Sequence, residues 1–197
     1  GIYNINKSLI EGDQYKNKNI RVLDQSRIGP ILSGNKEALD NKVDVKTLFI
    51  QNTNPLVVAP DSLLVRRGFS REDLFVCVHE QFLTETAKYA DILLPATSFV
   101  EHSDIYIAGG HQHLTYGPKL INSIGESKSN HNLINEISKR LGSKRENINM
   151  TEEEMINETL ILSNLGTLKK LKEKKFIDLQ PDFQTSHFIK GFGHSDK

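Results

Sequence analysis

Three polar clusters in this sequence carry side chains suited to binding chemistry: Gln51-Asn52-Thr53-Asn54-Pro55, His79-Glu80-Gln81-Phe82-Leu83-Thr84 and Pro95-Ala96-Thr97-Ser98. Their amides, hydroxyls, imidazole and carboxylate can donate to and accept from a base, a ribose or a phosphate. They place no nucleophile beside an activating base. A fourth cluster, His102, His111 and His113, invites a metal site, because an H-x-H on a strand points both rings to one face. Against it, no carboxylate or further histidine stands at a familiar ligand spacing, and an exposed polar loop accounts for the same residues. Cys77 is the only cysteine and lies in the apolar run Leu74-Phe75-Val76-Cys77-Val78, which reads as a buried, inert thiol. A single cysteine excludes a disulfide within the chain and a cysteine-ligated iron–sulfur cluster in this segment.

The elements that must position these clusters follow from the hydrophobic pattern. Thr47 to Gln51, Asp73 to Val78 and Asp91 to Leu94 are short, continuous apolar runs that stop at turn-forming or polar residues, as buried strands do. Between them, Pro60 to Phe69 has an amphipathic helical pattern, and Thr84 can cap a helix running to Ala90. Strands that are apolar throughout and alternate with helices predict an α/β fold, a parallel sheet with helices on both faces. In such a sheet ligands sit beyond the carboxyl ends of the strands, which is where all the polar loops fall. A further helix is predicted around Ile20 to Ile28. Another is capped by Asn130, carries Leu133, Ile134, Ile137 and Leu141, and closes at Gly142. Thr151 with Glu154 forms a capping box for a helix to about Leu165. The organisation expected is a lead-in segment over 1–45 that packs on parts outside this sequence, an α/β binding domain over 46–142, and a helical and irregular C-terminal extension over 143–197. Phe176, Phe183, Phe188 and Phe192 have no periodicity, so both ends are expected to carry apolar surface.

The bulk properties remove several classes. Lys+Arg and Asp+Glu are equal at 25 each, so no basic field recruits nucleic acid, and Arg66-Arg67 and the run from Lys169 to Lys175 read as solvated helix faces. No apolar stretch reaches the roughly 20 residues of a membrane span, and no signal sequence follows Gly1, which favours a cytoplasmic setting while leaving a periplasmic one open. There is no G-x-G-x-x-G after a strand, no phosphate-binding P-loop and no G-x-S-x-G elbow.

In order and spacing, the blocks Thr47 to Pro55, Asp73 to Ala87 and Tyr89 to Thr97, with Glu101 beyond them, resemble the molybdopterin-dependent oxidoreductases of the dimethyl sulfoxide reductase superfamily. The resemblance spans about residues 20 to 142 and identifies the chain as an internal fragment of such an enzyme. It implies a cofactor of two molybdopterin guanine dinucleotides holding molybdenum or tungsten, with this α/β domain gripping one guanosine arm. By position it assigns Gln51, Asn52, Asn54, His79, Glu80, Thr84, Thr86 and Asp91 to that ligand, with Glu80 and Asp91 as alternative carboxylates for the guanine edge. No catalytic residue and no metal ligand falls in this segment, so the fragment alone is expected to be inactive. The remaining domains of the same polypeptide would supply the metal ligand and, in some relatives, a 4Fe-4S cluster. Relatives commonly carry Gln-Asp or Gln-Glu where this chain has His79-Glu80, and Asn-x-Glu-Gly-Arg where it has Ala108 to His113. Two other readings stand beside this one: a scaffold domain that has lost its pterin, as in the large iron–sulfur subunit of respiratory complex I, and a metal hydrolase built on His102, His111 and His113.

Overall fold

The apolar runs pair as a parallel sheet in a computed structural model that describes residues 5–12, 17–189 and 191–192. In chain order the helices are α1 (Ser8–Glu11), α2 (Ile28–Leu32), α3 (Pro55–Val58), α4 (Ser62–Phe69), α5 (Asn130–Arg140), α6 (Glu152–Leu162), α7 (Leu168–Lys174) and α8 (Phe183–Ser186). The strands are β1 (Thr47–Gln51), β2 (Phe75–Glu80), β3 (Ile92–Pro95), β4 (Asp104–Ile107), β5 (His113–Gly117) and β6 (Phe176–Asp178). The chain divides into two units, one formed by 16–98 with 123–134, the other by 1–15, 99–122 and 135–197.

The first unit is built on the sheet β1-β2-β3, parallel throughout. Leu48 and Ile50 lie level with Val76 and Val78, and this face packs on Ile31 and Leu32 of α2, Leu56 of α3, and Val65 and Phe69 of α4. Helices α2 and α4 cross closely at Gly68, where an added Cβ would stand 2.5 Å from the Leu32 Cβ. Any larger residue there would force the helices apart. The opposite face carries Phe49, 43% exposed, and Phe75, 44% exposed. At the carboxyl end that face is closed by the segment 123–130, which joins the sheet through a parallel bridge between Ala96 and Lys128.

The parallel α/β architecture and the helical C-terminal region agree with the sequence reading, while several boundaries and one whole sheet do not. No helix spans Ile20 to Ile28. Asp24 instead caps a short 3-10 turn over Gln25–Arg27, and α2 begins only at Ile28. Of the segment read as a lead-in, 16–45 belongs to the sheet unit, with Ile31, Leu32, Ala38 and Leu39 buried in the same core as the strands. The helix expected from Thr84 to Ala90 is a single 3-10 turn, Ala87–Tyr89. Parts of the expected lead-in and tail, 1–4, 13–16, 190 and 193–197, lie outside the described residues.

The second unit pairs β4, β5 and β6 as an antiparallel sheet that the sequence pattern did not announce. Its core is Leu114, Ile156, Leu160, Leu168 and Leu171. The capping box of α6 forms as read, with Thr151 and Glu154 exchanging side-chain and backbone hydrogen bonds. Phe183, Phe188 and Phe192 are exposed, as expected for an aperiodic aromatic tail.

Candidate functional site

The carboxyl ends of the parallel strands bring the polar loops together because strand register is fixed by the apolar face. With Ile50 level with Val78, Gln51 falls level with His79, and β3 places Leu94 beside His79 and Pro95 beside Glu80. Each strand therefore hands over to its loop at the same edge, and Asn52, in the left-handed region at φ 55°, turns β1 sharply out of the sheet. Asn tolerates that conformation better than most residues.

Two hydrogen-bonded groups hold the edge. In the first, the fully buried Thr86 donates its hydroxyl to Asn54 Oδ1 at 2.7 Å and its backbone N–H to the same oxygen at 3.2 Å. The Thr86 hydroxyl in turn accepts from the Leu56 N–H at 3.1 Å. Asn54 Oδ1 is thus fully used, while its Nδ2 makes no hydrogen bond to a described residue. In the second group, His79 is fully buried with Nδ1 3.1 Å from Gln51 Nε2 and Nε2 3.0 Å from the Lys128 carbonyl. A carbonyl only accepts, so Nε2 carries the proton and Nδ1 accepts from the Gln51 amide. Gln51 donates its other amide hydrogen to Asn130 Oδ1 at 3.0 Å. The Lys128 carbonyl also accepts from the Thr97 N–H at 3.2 Å, and the Lys128 N–H donates to the Pro95 carbonyl at 3.0 Å.

Glu80 and Thr84 lie on the loop after β2. Glu80 Oε1 accepts from the Gln81 N–H at 2.7 Å, and Oε2 makes no hydrogen bond to a described residue. Gln81 crosses to the next loop, donating to the Thr97 carbonyl at 3.0 Å. Thr84 caps its turn by accepting from the Ala87 N–H at 3.1 Å. Phe82 and Leu83, between them, are exposed. No Lys or Arg occurs within 51–55, 79–84 or 95–98, so these loops themselves offer neutral hydrogen-bonding groups and one carboxylate.

Asp91 is not brought to this edge. It stands at the start of β3, level with Val76, whose N–H donates to Asp91 Oδ2 at 2.7 Å. With four residues to Pro95, a strand rise of about 3.3 Å per residue puts it roughly 13 Å from the loops. Asn130, read as a helix cap, does not cap either: Ser129 takes that place, its hydroxyl accepting from the Asn132 N–H at 3.3 Å, and Asn130 faces Gln51 instead. Lys128 and Asn130 are the edge residues that sequence reasoning missed. Lys128 meets His79 across 49 positions of chain and Asn130 meets Gln51 across 79, and no local pattern signals a one-residue bridge.

The remaining candidates fall elsewhere. His111 Nδ1 accepts from the His113 N–H at 3.1 Å, and the His113 ring lies against Phe176 with centroids 4.6 Å apart. Among the described residues no group of His, Cys, Asp and Glu is arranged to hold a metal ion, so the hydrolase reading has no geometry to support it. Cys77 is half-buried rather than buried, on the open face of the sheet, and burial pushes its thiol pKa up, away from reactivity. Among the described residues no helix is long and apolar enough to cross a membrane.

Residues 4–140 match the family model described as molybdopterin oxidoreductase. The chain is 38% identical over 158 residues to the probable oxidoreductase YoaE of Bacillus subtilis (strain 168), covering 80% of this chain and 22% of that protein. It is 32% identical over 118 residues to the assimilatory nitrate reductase catalytic subunit of the same organism, covering 60% of this chain and 16% of the relative. Among solved structures, acetylene hydratase from Pelobacter acetylenicus superposes with a TM-score of 0.63 at 18% identity, over 80% of this chain and 21% of that one, a likeness of fold alone. The chain thus spans about a fifth of the length of the relatives it matches.

Proposed function

Since the chain belongs to the molybdopterin oxidoreductase family, we propose that its parallel-sheet unit grips one guanosine arm of a bis(molybdopterin guanine dinucleotide) cofactor carrying molybdenum or tungsten, as one part of a longer oxidoreductase. The observation that carries this reading is the unshared oxygen of Glu80, beside Pro95 at the carboxyl edge of the sheet. A guanine edge presents adjacent N–H donors, which a carboxylate accepts as a pair. Asn52 and the Nδ2 of Asn54 supply neutral partners for base or ribose. Asp91 spends an oxygen on the Val76 N–H at the far end of the sheet, so Glu80 is the carboxylate of choice.

When bound, the pterin-held metal supplies the redox chemistry. This segment's own residues bind and orient: Thr86 fixes Asn54, and Thr84 shapes the turn that follows Glu80. Relatives are named for nitrate, trimethylamine-N-oxide and formate, so the substrate is set outside this segment.

The test is cofactor content of the full-length protein. Glu80→Ala is expected to cost about 2 kcal/mol of binding, against ~1 for Asn52→Ala, because a buried charge-assisted pair outweighs a neutral bond. Pterin and metal content should fall in that order. Normal loading in Glu80→Ala, Asn52→Ala and Asn54→Ala alike would sink the reading and leave a scaffold domain in its place.

A further inference from the structure

We infer that His79 is a positioning residue rather than a ligand: as its neutral Nε2–H tautomer it ties the ends of β1 and β2 to the 123–130 segment, and so sets the width of the binding edge. The inference rests on the guanosine reading for its function, but its geometry stands independently. His79 is completely buried, and both ring nitrogens are committed within the protein, Nδ1 to Gln51 and Nε2 to the Lys128 carbonyl. No ring nitrogen is left for a nucleotide. The next residue, Glu80, keeps an oxygen unshared.

The connections run further than one bond on each side. Gln51 is oriented by using its second amide hydrogen on Asn130, so His79 and the start of α5 hold the same side chain from two directions. The Lys128 carbonyl that His79 reaches is the one that receives the Thr97 N–H, and Lys128 in turn donates to Pro95. One imidazole thus links the end of β1, the end of β2, the loop after β3 and the segment leading into α5. The demand on the ring is specific, because the contact to Lys128 needs a donor and the contact to Gln51 needs an acceptor. Neutral histidine meets both in one tautomer only, and a glutamine amide can meet both through Nε2 and Oε1. An apolar residue meets neither and leaves a carbonyl and an amide buried without partners.

The experiment uses the full-length protein in cofactor-free and loaded forms, comparing wild type with His79→Leu, His79→Gln and Gln51→Ala. Amide hydrogen exchange at Thr97 and Lys128 reads the clamp without reference to any ligand. His79→Leu should speed exchange there by about tenfold or more, as expected for the loss of two buried hydrogen bonds, and should lower pterin retention. His79→Gln should restore most of the protection and retention. Nitrogen chemical shifts of the His79 ring should report the Nε2–H tautomer and stay unchanged on cofactor loading. The inference is overturned if the ring resonances move on loading, or if His79→Leu weakens retention without changing exchange at Thr97 and Lys128. If His79→Leu does not yield folded protein, Gln51→Ala, which removes one arm only, should still raise exchange at the same amides, and no change there would equally overturn it. Faster exchange in His79→Leu, in a protein whose wild type never takes up pterin, would sustain the clamp and reject the guanosine reading.

Discussion

The two ends of the parallel sheet are built from opposite materials. At the amino end, Asp73 is bound by Lys46 and by Arg71, whose Nε and Nη2 donate to its two oxygens at 2.9 Å, and Asp91 receives the Val76 N–H. Arg71 also donates to the Leu32 carbonyl at 2.9 Å, tying α2 to the turn before β2. At the carboxyl end the work is done by neutral groups, Gln51, Asn54, His79, Thr86 and Asn130, with His79 and Thr86 fully buried. Exposed ion pairs tolerate water and movement, whereas buried neutral networks hold one geometry because any broken bond leaves a group without a partner. A rigid edge with one spare carboxylate oxygen suits a ligand, whereas the ionic edge ties α2 and the strands to one another.

The contrast is broken most severely at Thr86. Thr86→Val keeps the volume but removes the hydroxyl, leaving the buried Leu56 N–H without its acceptor and Asn54 with one donor fewer. The expected cost is about 2–3 kcal/mol in denaturant unfolding, against less than ~1 kcal/mol for Thr86→Ser, which retains the hydroxyl. Equal midpoints for Thr86→Val and wild type would mean that the carboxyl edge is not held by this network.

The sequence discloses the apolar strands and the polar loops that end them more readily than the bonds that join those loops, for a physical reason. Strand pairing follows from continuous apolar runs, so β1, β2 and β3 were legible, yet β2 starts two residues later than Asp73 and runs through His79 and Glu80. Those polar residues stay in the strand because Gln51 stands level with His79 and takes up its hydrogen-bonding capacity, a fact of register that β2 alone does not contain. The 3-10 turn at Ala87 shows the same limit: Thr84 can cap a helix, but Tyr89 and Ala90 are drawn into the sheet core and β3 begins at Ile92. The sheet of β4, β5 and β6 was illegible because β6 has only 3 residues and pairs with β5 across about sixty positions of chain. At the site, Asn54, Glu80 and Thr86 could be placed from the blocks they occupy, whereas the partners of His79 could not.

A smaller effect is expected at Asp91, and it sharpens the distinction between the ends. Asp91→Ala removes the acceptor of the Val76 N–H, but Asp91 is exposed and water can take its place, so about 1 kcal/mol of stability should be lost. Pterin content should not change, in contrast to Glu80→Ala. A loss of cofactor in Asp91→Ala at unchanged stability would return Asp91 to the binding site and collapse the separation between the two edges.

The smallest effect belongs to Asp73, and its signature is a pH dependence. The Arg71 guanidinium, and then the Lys46 ammonium, hold the Asp73 carboxyl well below its ordinary value of 3.8. A carboxylate whose pKa is lower in the folded than in the unfolded state stabilises the fold above its unfolded value, and that contribution disappears as pH falls through the folded one. Asp73→Asn should therefore be less stable than wild type by a constant margin from pH 5 to pH 7 (about 1 to 3 units above the unfolded value), and the margin should close progressively below about pH 4. Because the side chain is 53% exposed, the margin should be small and should shrink in 1 M salt, where charges are screened beyond about 3 Å. Urea midpoints for both proteins across that pH range decide the matter. A margin as wide at pH 2.5 (roughly 1.5 units below the unfolded value) as at neutral pH would show that Asp73 acts through packing or backbone geometry, and the amino edge would then be no more ionic in its energetics than the carboxyl edge.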